Sequence, residues 1–156
     1  MYVLGVTGGI ASGKSTVCST LAGLVEQIGS HHLAVIDADK LGHKAYVVGE
    51  PCYTAIVNHF GAGIVAPGGE IDRRALGAIV FSDPLRMREL EAIVWPTIRA
   101  FIEQELQELA ERETQNPRFP VIVVLEAAVM LEAGWNDLCT SLWIVHVEPI
   151  VARARL

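Results

Sequence analysis

At 156 residues, 51% of them apolar, the chain carries enough non-polar side chain for one buried core and is expected to form a single domain over 1–156. A net charge of −6 and an isoelectric point near 5.3 exclude the basic footprint of a protein that binds nucleic acid or an anionic membrane. There is no run of about 18 apolar residues, so no membrane span is expected.

The chain opens on an apolar run, Tyr2 to Thr7, of the length of a buried strand. No charged lead, apolar signal core or cleavage site precedes it, so a cytoplasmic protein is expected. Directly after it, Gly8, Gly9, Ile10, Ala11, Ser12, Gly13, Lys14, Ser15 and Thr16 contain the spacing G-x-x-x-x-G-K-S. That is the phosphate-cradling loop, provided a strand precedes it and a helix follows. The helix is predicted by Val17, Leu21, Leu24, Val25 and Ile28, which recur at three- and four-residue spacing, with Gly29 suited to a left-handed end. Free N–H groups and the peptide dipoles at a helix start favour an anion, and glycine lets the backbone come close to it. Lys14 supplies a charge for the outer phosphates, and the Ser15 hydroxyl suits a magnesium ion. The bland alternative is a glycine-rich turn without a ligand.

His31 and His32 read as solvated surface residues. A second apolar run, Leu33 to Asp39, ends in Asp37 and Asp39, and alternation along an extended chain places both acids on one side. A helix starting near Lys40 gives Asp37 the competing role of a cap. Residues 46–95 are too long for one crossover and hold glycines at 61, 63, 68 and 69 and the pair Arg73 and Arg74. They suit a helical insertion at the sheet's carboxyl edge, where ligands bind in such folds; a stabilising excursion without a site is the alternative. A long helix is predicted over Leu85 to Arg112, capped by Ser82 or Asp83 with Pro84 in its first turn. Pro96 should kink or divide it. Glu113 to Pro120 is a turn-rich connection into a third run, Val121 to Ala128, and a fourth spans Ser141 to Val147. These runs lack alternation, as strands covered on both faces do, and alternate with helices, which predicts an α/β fold with a mostly parallel sheet. Cys18, Cys52 and Cys139 are few, odd in number and far apart, which fits reduced thiols.

Two carboxylates beside a magnesium–phosphate site can hold metal through water or accept a proton from an attacking hydroxyl; Asp39 is read as a site residue in one of these roles, and Asp37 equally as site residue or cap. Glu126 ends the third strand where a second metal-associated acid would lie, and Glu132 reads equally as a helix-surface charge. Arg73 and Arg74 can grip a substrate phosphate or simply be solvated. Asp39 to Gly42 fits the D-x-x-G of guanine-nucleotide switches. The companion N-K-x-D is missing, since Asn58, Asn116 and Asn136 are followed by His59, Pro117 and Asp137. The residues alone reach a kinase of a small hydroxylated acceptor.

Five stretches sharpen this: GVTGGIASGKSTV from Gly5, VIDADKLGHKAY from Val35, GGEIDRRALGAIVFSDP from Gly68, LEAIVWPTI from Leu90 and LEAAVMLEAGW from Leu125. In order and spacing they resemble the dephospho-coenzyme A kinases over essentially the whole chain. The likeness is closest to the kinase half of the bifunctional coenzyme A synthase of eukaryotes, where W-P, here Trp95 and Pro96, replaces the bacterial H-P. The resemblance implies a P-loop, nucleoside-monophosphate-kinase-like three-layer αβα fold with a helical acceptor-binding insertion. It implies magnesium ATP as donor and the ribose 3′-hydroxyl of dephospho-coenzyme A as acceptor. It makes Asp39 the base, Gly8 to Thr16 the ATP loop with Lys14 on the phosphates, and Arg73 an acceptor-side arginine. It also implies a continuation past Leu156 through a lid whose first arginine matches Arg155, and an adenylyltransferase as a possible fusion partner outside this chain. Transfer to another small hydroxylated acceptor and nucleotide binding without turnover are the competing readings.

Overall fold

In the computed structural model, residues 1–29, 32–118 and 120–156 are described, with Gln27 and Ile28 described by their backbone alone. The expectation for His31 lies outside the described residues, as do those for the Ile28 side chain and for Phe119 in the 113–120 connection. Two compact units make up the chain: Met1–Asp39 with Ile102–Leu156, and Lys40–Phe101.

The first unit is built on four strands, β1 (Tyr2–Thr7), β2 (His32–Asp37), β3 (Val121–Glu126) and β4 (Ser141–Ile144), in the order β2-β3-β1-β4. All three pairings are parallel. The register places Leu4 beside Val124 and Val124 beside Val35, so each rank of the sheet shows one face alternately. Helix α1 (Lys14–Ile28) covers the face carrying Leu4, Val6 and Val124, with Cys18 and Leu21 packed against them. Val3, Val123 and Leu125 on the opposite face are just as buried. The central strands β1 and β3 are thus covered on both faces, as their unbroken apolar runs require, whereas the edge strands β2 and β4 leave Val35, Trp143 and Ile144 exposed, against expectation.

Each β run expected from the sequence is present, but three of them stop early. β2 ends at Asp37, not at Asp39, because helix α2 (Ala38–Ala45) begins at the next residue. The Asp37 carboxylate accepts from the Asp39 N–H at 3.1 Å and turns the chain into the helix. β3 ends at Glu126 and β4 at Ile144, short of the expected 128 and 147. Both lean on β1: Ala127 N–H still bonds the Val6 carbonyl and Val145 N–H the Thr7 carbonyl, and beyond Thr7 there is no strand left to pair with.

In the second unit, α3 (Pro51–Phe60), a 3-10 turn at Ala62–Ile64 and α4 (Arg73–Val80) follow the body of α2. Ile56 and Ile64 are fully buried there, with Cys52, Leu76 and Val80. Asp72 caps α4, accepting from Arg74 N–H at 2.9 Å and Ala75 N–H at 3.0 Å. Helix α5 (Pro84–Gln115) takes Asp83 as its cap, whose carboxylate accepts from Leu85 N–H at 2.9 Å. It is not divided at Pro96. The missing donor there costs one rung, while Val94 and Ile98 on either side of it are buried and hold the helix together. A short helix, α6 (Pro149–Ala154), ends the chain.

Candidate functional site

Between β1 and α1 the backbone adopts conformations that few residues tolerate. Gly8 has φ 149° and Gly13 has φ 101°. A methyl group on Gly8 would stand 2.2 Å from the Val145 carbonyl oxygen, so only glycine lets the loop pack against the end of β4. Ala11, with φ 59°, is the one non-glycine among the described residues at positive φ. Nothing in the sequence marks it, since an alanine gives no sign that its backbone is strained. Ser12 N–H donates to the Gly9 carbonyl at 3.2 Å, and Gly13 leads into α1 as its N-cap, with no side chain satisfying the first N–H groups.

The loop therefore presents a helix start to an open cavity of about 510 Å³, lined by Ala11 through Val17, Val145 and Arg155. Of the loop residues singled out from the sequence, Ala11, Ser12, Gly13, Lys14, Ser15 and Thr16 come together in that lining. Gly8 and Gly9 shape the approach, and Ile10 stands out into solvent with 78% of its surface exposed. Lys14 Nζ folds back onto the Gly8 and Gly9 carbonyls at 2.9 and 3.2 Å. Arg155, which the family resemblance implies as the first arginine of a lid and no spacing marks, donates to the Ala11 carbonyl at 3.1 Å. Ser12 Oγ is fully buried and has no hydrogen-bond partner. It packs beside Gly8, 3.0 Å from where a methyl group on that residue would stand.

Acidic groups lie along the carboxyl edge of the same sheet. Glu126 stands beside Asp37 on one side and Val6 on the other, so the carboxylates of β2 and β3 project toward the α1 face. Ser15 Oγ donates to Glu126 Oε1 at 2.8 Å, joining the first turn of α1 to the end of β3. One turn further along α1, burial and, after it, the Glu126 carboxylate together push the Cys18 thiol up to about 12. Asp39 is exposed in the first turn of α2, where its carboxylate follows helical geometry and not the strand alternation expected for it. Glu132 is exposed on a turn, not on a helix. Arg73 belongs to the second unit. It opens α4 and carries its guanidinium 5.7 Å above the centre of the Tyr46 ring.

The site can bind polyanions at a helix start and brings two oxygen donors, Ser15 and Glu126, within 2.8 Å of each other. Comparison with known proteins agrees with that chemistry. The family model described as dephospho-CoA kinase matches residues 2–156. A dephospho-CoA kinase of Symbiobacterium thermophilum is 42% identical over 156 residues, which is 100% of this chain and 60% of that protein. One from Geobacter sulfurreducens is 43% identical over 148 residues, covering 95% of this chain and 68% of its own length. Among solved structures, a Thermus thermophilus protein superposes with a TM-score of 0.72 at 32% identity, over 99% of this chain and 70% of that one. Dephospho-CoA kinase from Campylobacter jejuni, at 21% identity and a TM-score of 0.54 over 98% of this chain and 92% of its own, shares the fold. The chain thus spans about three-fifths of the length of the first of these relatives. The likeness is continuous from β1 to the last helix, and it makes the three-layer α/β architecture that of a P-loop kinase. The chain belongs to the dephospho-CoA kinase family.

Proposed function

We propose that the protein transfers the γ-phosphoryl group of ATP to the ribose 3′-hydroxyl of dephospho-coenzyme A, giving coenzyme A. The observation that carries this reading is the glycine loop closed against β4, which presents an unmet helix start to one cavity. Phosphate oxygens are charged acceptors and suit the N–H groups of that start. Lys14 and the first N–H groups of α1 take up charge that spreads over the phosphoryl oxygens during transfer. The transition state is loose, so the Asp39 carboxylate orients the acceptor hydroxyl and takes its proton late.

The Ser15 hydroxyl, with Glu126 behind it, fits a magnesium ion, because a hard cation takes oxygen ligands. When bound, such an ion neutralises charge on the phosphates. Ser15 then serves as ligand while Glu126 holds its hydroxyl in place. Arg73 binds the acceptor side, and residues 46–95 form the acceptor-binding insertion of a single kinase domain. The likeness of Trp95 and Pro96 to the bifunctional synthase, with an adenylyltransferase fused in a longer protein, belongs to the same proposal, as does a cytoplasmic setting. No described helix is long and apolar enough to cross a membrane.

Incubation with magnesium ATP and dephospho-coenzyme A tests the reading, with mass spectrometry following the gain of one phosphate on the ribose. The expected result is 3′-phosphorylated product at a rate proportional to enzyme. Tight ATP binding without transfer to any hydroxylated acceptor would reduce the protein to a nucleotide-binding module. Faster transfer to a nucleoside or shikimate would reassign the acceptor.

A further inference from the structure

Two arginines of the second unit lie over aromatic rings. Arg86 sits 5.5 Å from the Phe60 centroid, but its guanidinium is already matched by Glu89 at 2.9 Å. Arg73 sits 5.7 Å from the Tyr46 centroid. Among the described residues it makes no hydrogen bond or ion pair, so the ring is its one specific contact. Arg74, its neighbour, is exposed and among the described residues lies over no ring. Thus one arginine of the pair is held in place while its five donors stay unmatched.

Its location makes that arrangement more than a surface accident. Arg73 occupies the first position of α4, where a cation opposes the helix dipole, so the helix itself does not favour a positive charge there. Asp72 already satisfies the Arg74 and Ala75 N–H groups, which leaves the guanidinium outside the capping arrangement. Tyr46 is half-buried and follows directly on the last residue of α2. Burial pushes its hydroxyl up, the Cys52 thiol adds to this, and the guanidinium pulls the other way, so the phenol stays neutral with its ring face electron-rich.

We infer that Tyr46 is a positioning residue, a fixed ring that holds the Arg73 fork with all its donors free for a phosphate of the acceptor. The inference rests on the kinase reading above. It resolves the Arg73 and Arg74 pair, which spacing alone leaves equivalent, in favour of Arg73. The ring restricts the long side chain before the ligand arrives, so less freedom is lost when a bidentate contact to phosphate forms.

Calorimetric titration of dephospho-coenzyme A into the full chain tests this, using wild type, Tyr46→Phe and Tyr46→Leu, each with and without Arg73→Ala. Tyr46→Phe should bind like wild type, because the face is kept. Tyr46→Leu should weaken binding by about two- to fivefold, the factor expected for an exposed cation–π contact. In the Arg73→Ala background, Tyr46→Leu should change nothing further. ATP affinity should be unaffected throughout. Should Tyr46→Leu fail to fold, phenylalanine bearing three ring fluorines at position 46 keeps the shape and strips the face of its negative charge, and should weaken binding in the same way. Equal losses with and without Arg73, or no loss from either ring change, would overturn the positioning role alone. A folded wild-type chain that binds no dephospho-coenzyme A would overturn the acceptor reading and the role of Tyr46 with it.

Discussion

Gly8→Ala bears most directly on how the loop is held. The added carbon would stand 2.2 Å from Val145 O, against the ~3.3–3.6 Å at which carbon and carbonyl oxygen rest. That carbonyl has little room to retreat, because the N–H of the same residue is tied to the Thr7 carbonyl at 2.7 Å. The position also has φ 149°, a conformation rare for L side chains that costs about 1–3 kcal/mol. Overpacking against fixed backbone adds about 1–3 kcal/mol. The combined loss of about 2–6 kcal/mol corresponds to a melting point roughly 5–20 °C lower for a chain of this size. Gly9 is the control: a methyl group there meets nothing within 4 Å. Gly9→Ala should shift stability by less than about 0.5 kcal/mol. Thermal melts of the three proteins by circular dichroism, with titration of a fluorescent ATP analogue, give both readouts. Gly8→Ala should melt early and lose nucleotide binding. If it melts within about 2 °C of wild type, the loop is not packed against β4 as described, and the argument for an obligatory glycine fails.

Asp39→Asn should lower turnover about 10²–10⁴-fold while leaving ATP affinity within about twofold, measured by steady-state kinetics and calorimetry. Collapse of ATP binding instead would make Asp39 a structural or metal-holding group. Asp72→Ala removes the cap that meets two N–H groups of α4 and should destabilise the protein by about 1 kcal/mol in denaturant melts; an unchanged midpoint would show the cap to be idle. Cys18 gives a pH signature. Its thiol, ordinarily at 9.0, is held near 12 by burial and by Glu126, so it stays protonated in the native state while the unfolded chain ionises. The stability this group contributes is complete below pH 9 and is lost as pH rises from 9 toward about 12, so Cys18→Ala should flatten the alkaline fall in unfolding free energy. Glu126→Gln should bring the thiol part of the way down, and an unaltered titration would remove Glu126 as a cause.

Local chemistry was the legible part of the fold. The α1 face was read in part, since Leu21 packs on the sheet with Cys18 while Leu24, expected beside it, is exposed; Gly29 ends the helix at φ 67°, and Asp83 with Pro84 opens α5, because each signal lies within one or two turns of what it decides. Asp37 ends β2 as expected, whereas Asp39 was misplaced for a physical reason. Asp-Ala-Asp suits either an alternating strand or a capped helix start, and the choice was made by one side-chain bond from Asp37 to the Asp39 N–H. Strand ends at Glu126 and Ile144 were equally hidden, since they are set by where β1 stops and not by the residues of β3 or β4.

The site divides along the same line. Residues 8–16 are contiguous, so their spacing could be read directly. Glu126 lies 111 residues from Ser15, and Arg155 lies 144 from Ala11, so no window of sequence contains either pair. Strand order is what joins them. β1 sits between β3 and β4, so the loop leaving its carboxyl end is flanked by Glu126 on one side and Val145 on the other. The chain goes from β1 to β2 across the place later filled by β3, then crosses back past β1 to β4. A crevice opens at the carboxyl end of a parallel sheet where the crossovers change direction, and a glycine loop at that point reaches both neighbours. One strand order thus supplies the carboxylate that holds Ser15 and the carbonyl that makes Gly8 obligatory. Moving β1 to an edge would leave all nine loop residues in the sequence and remove one of those two walls.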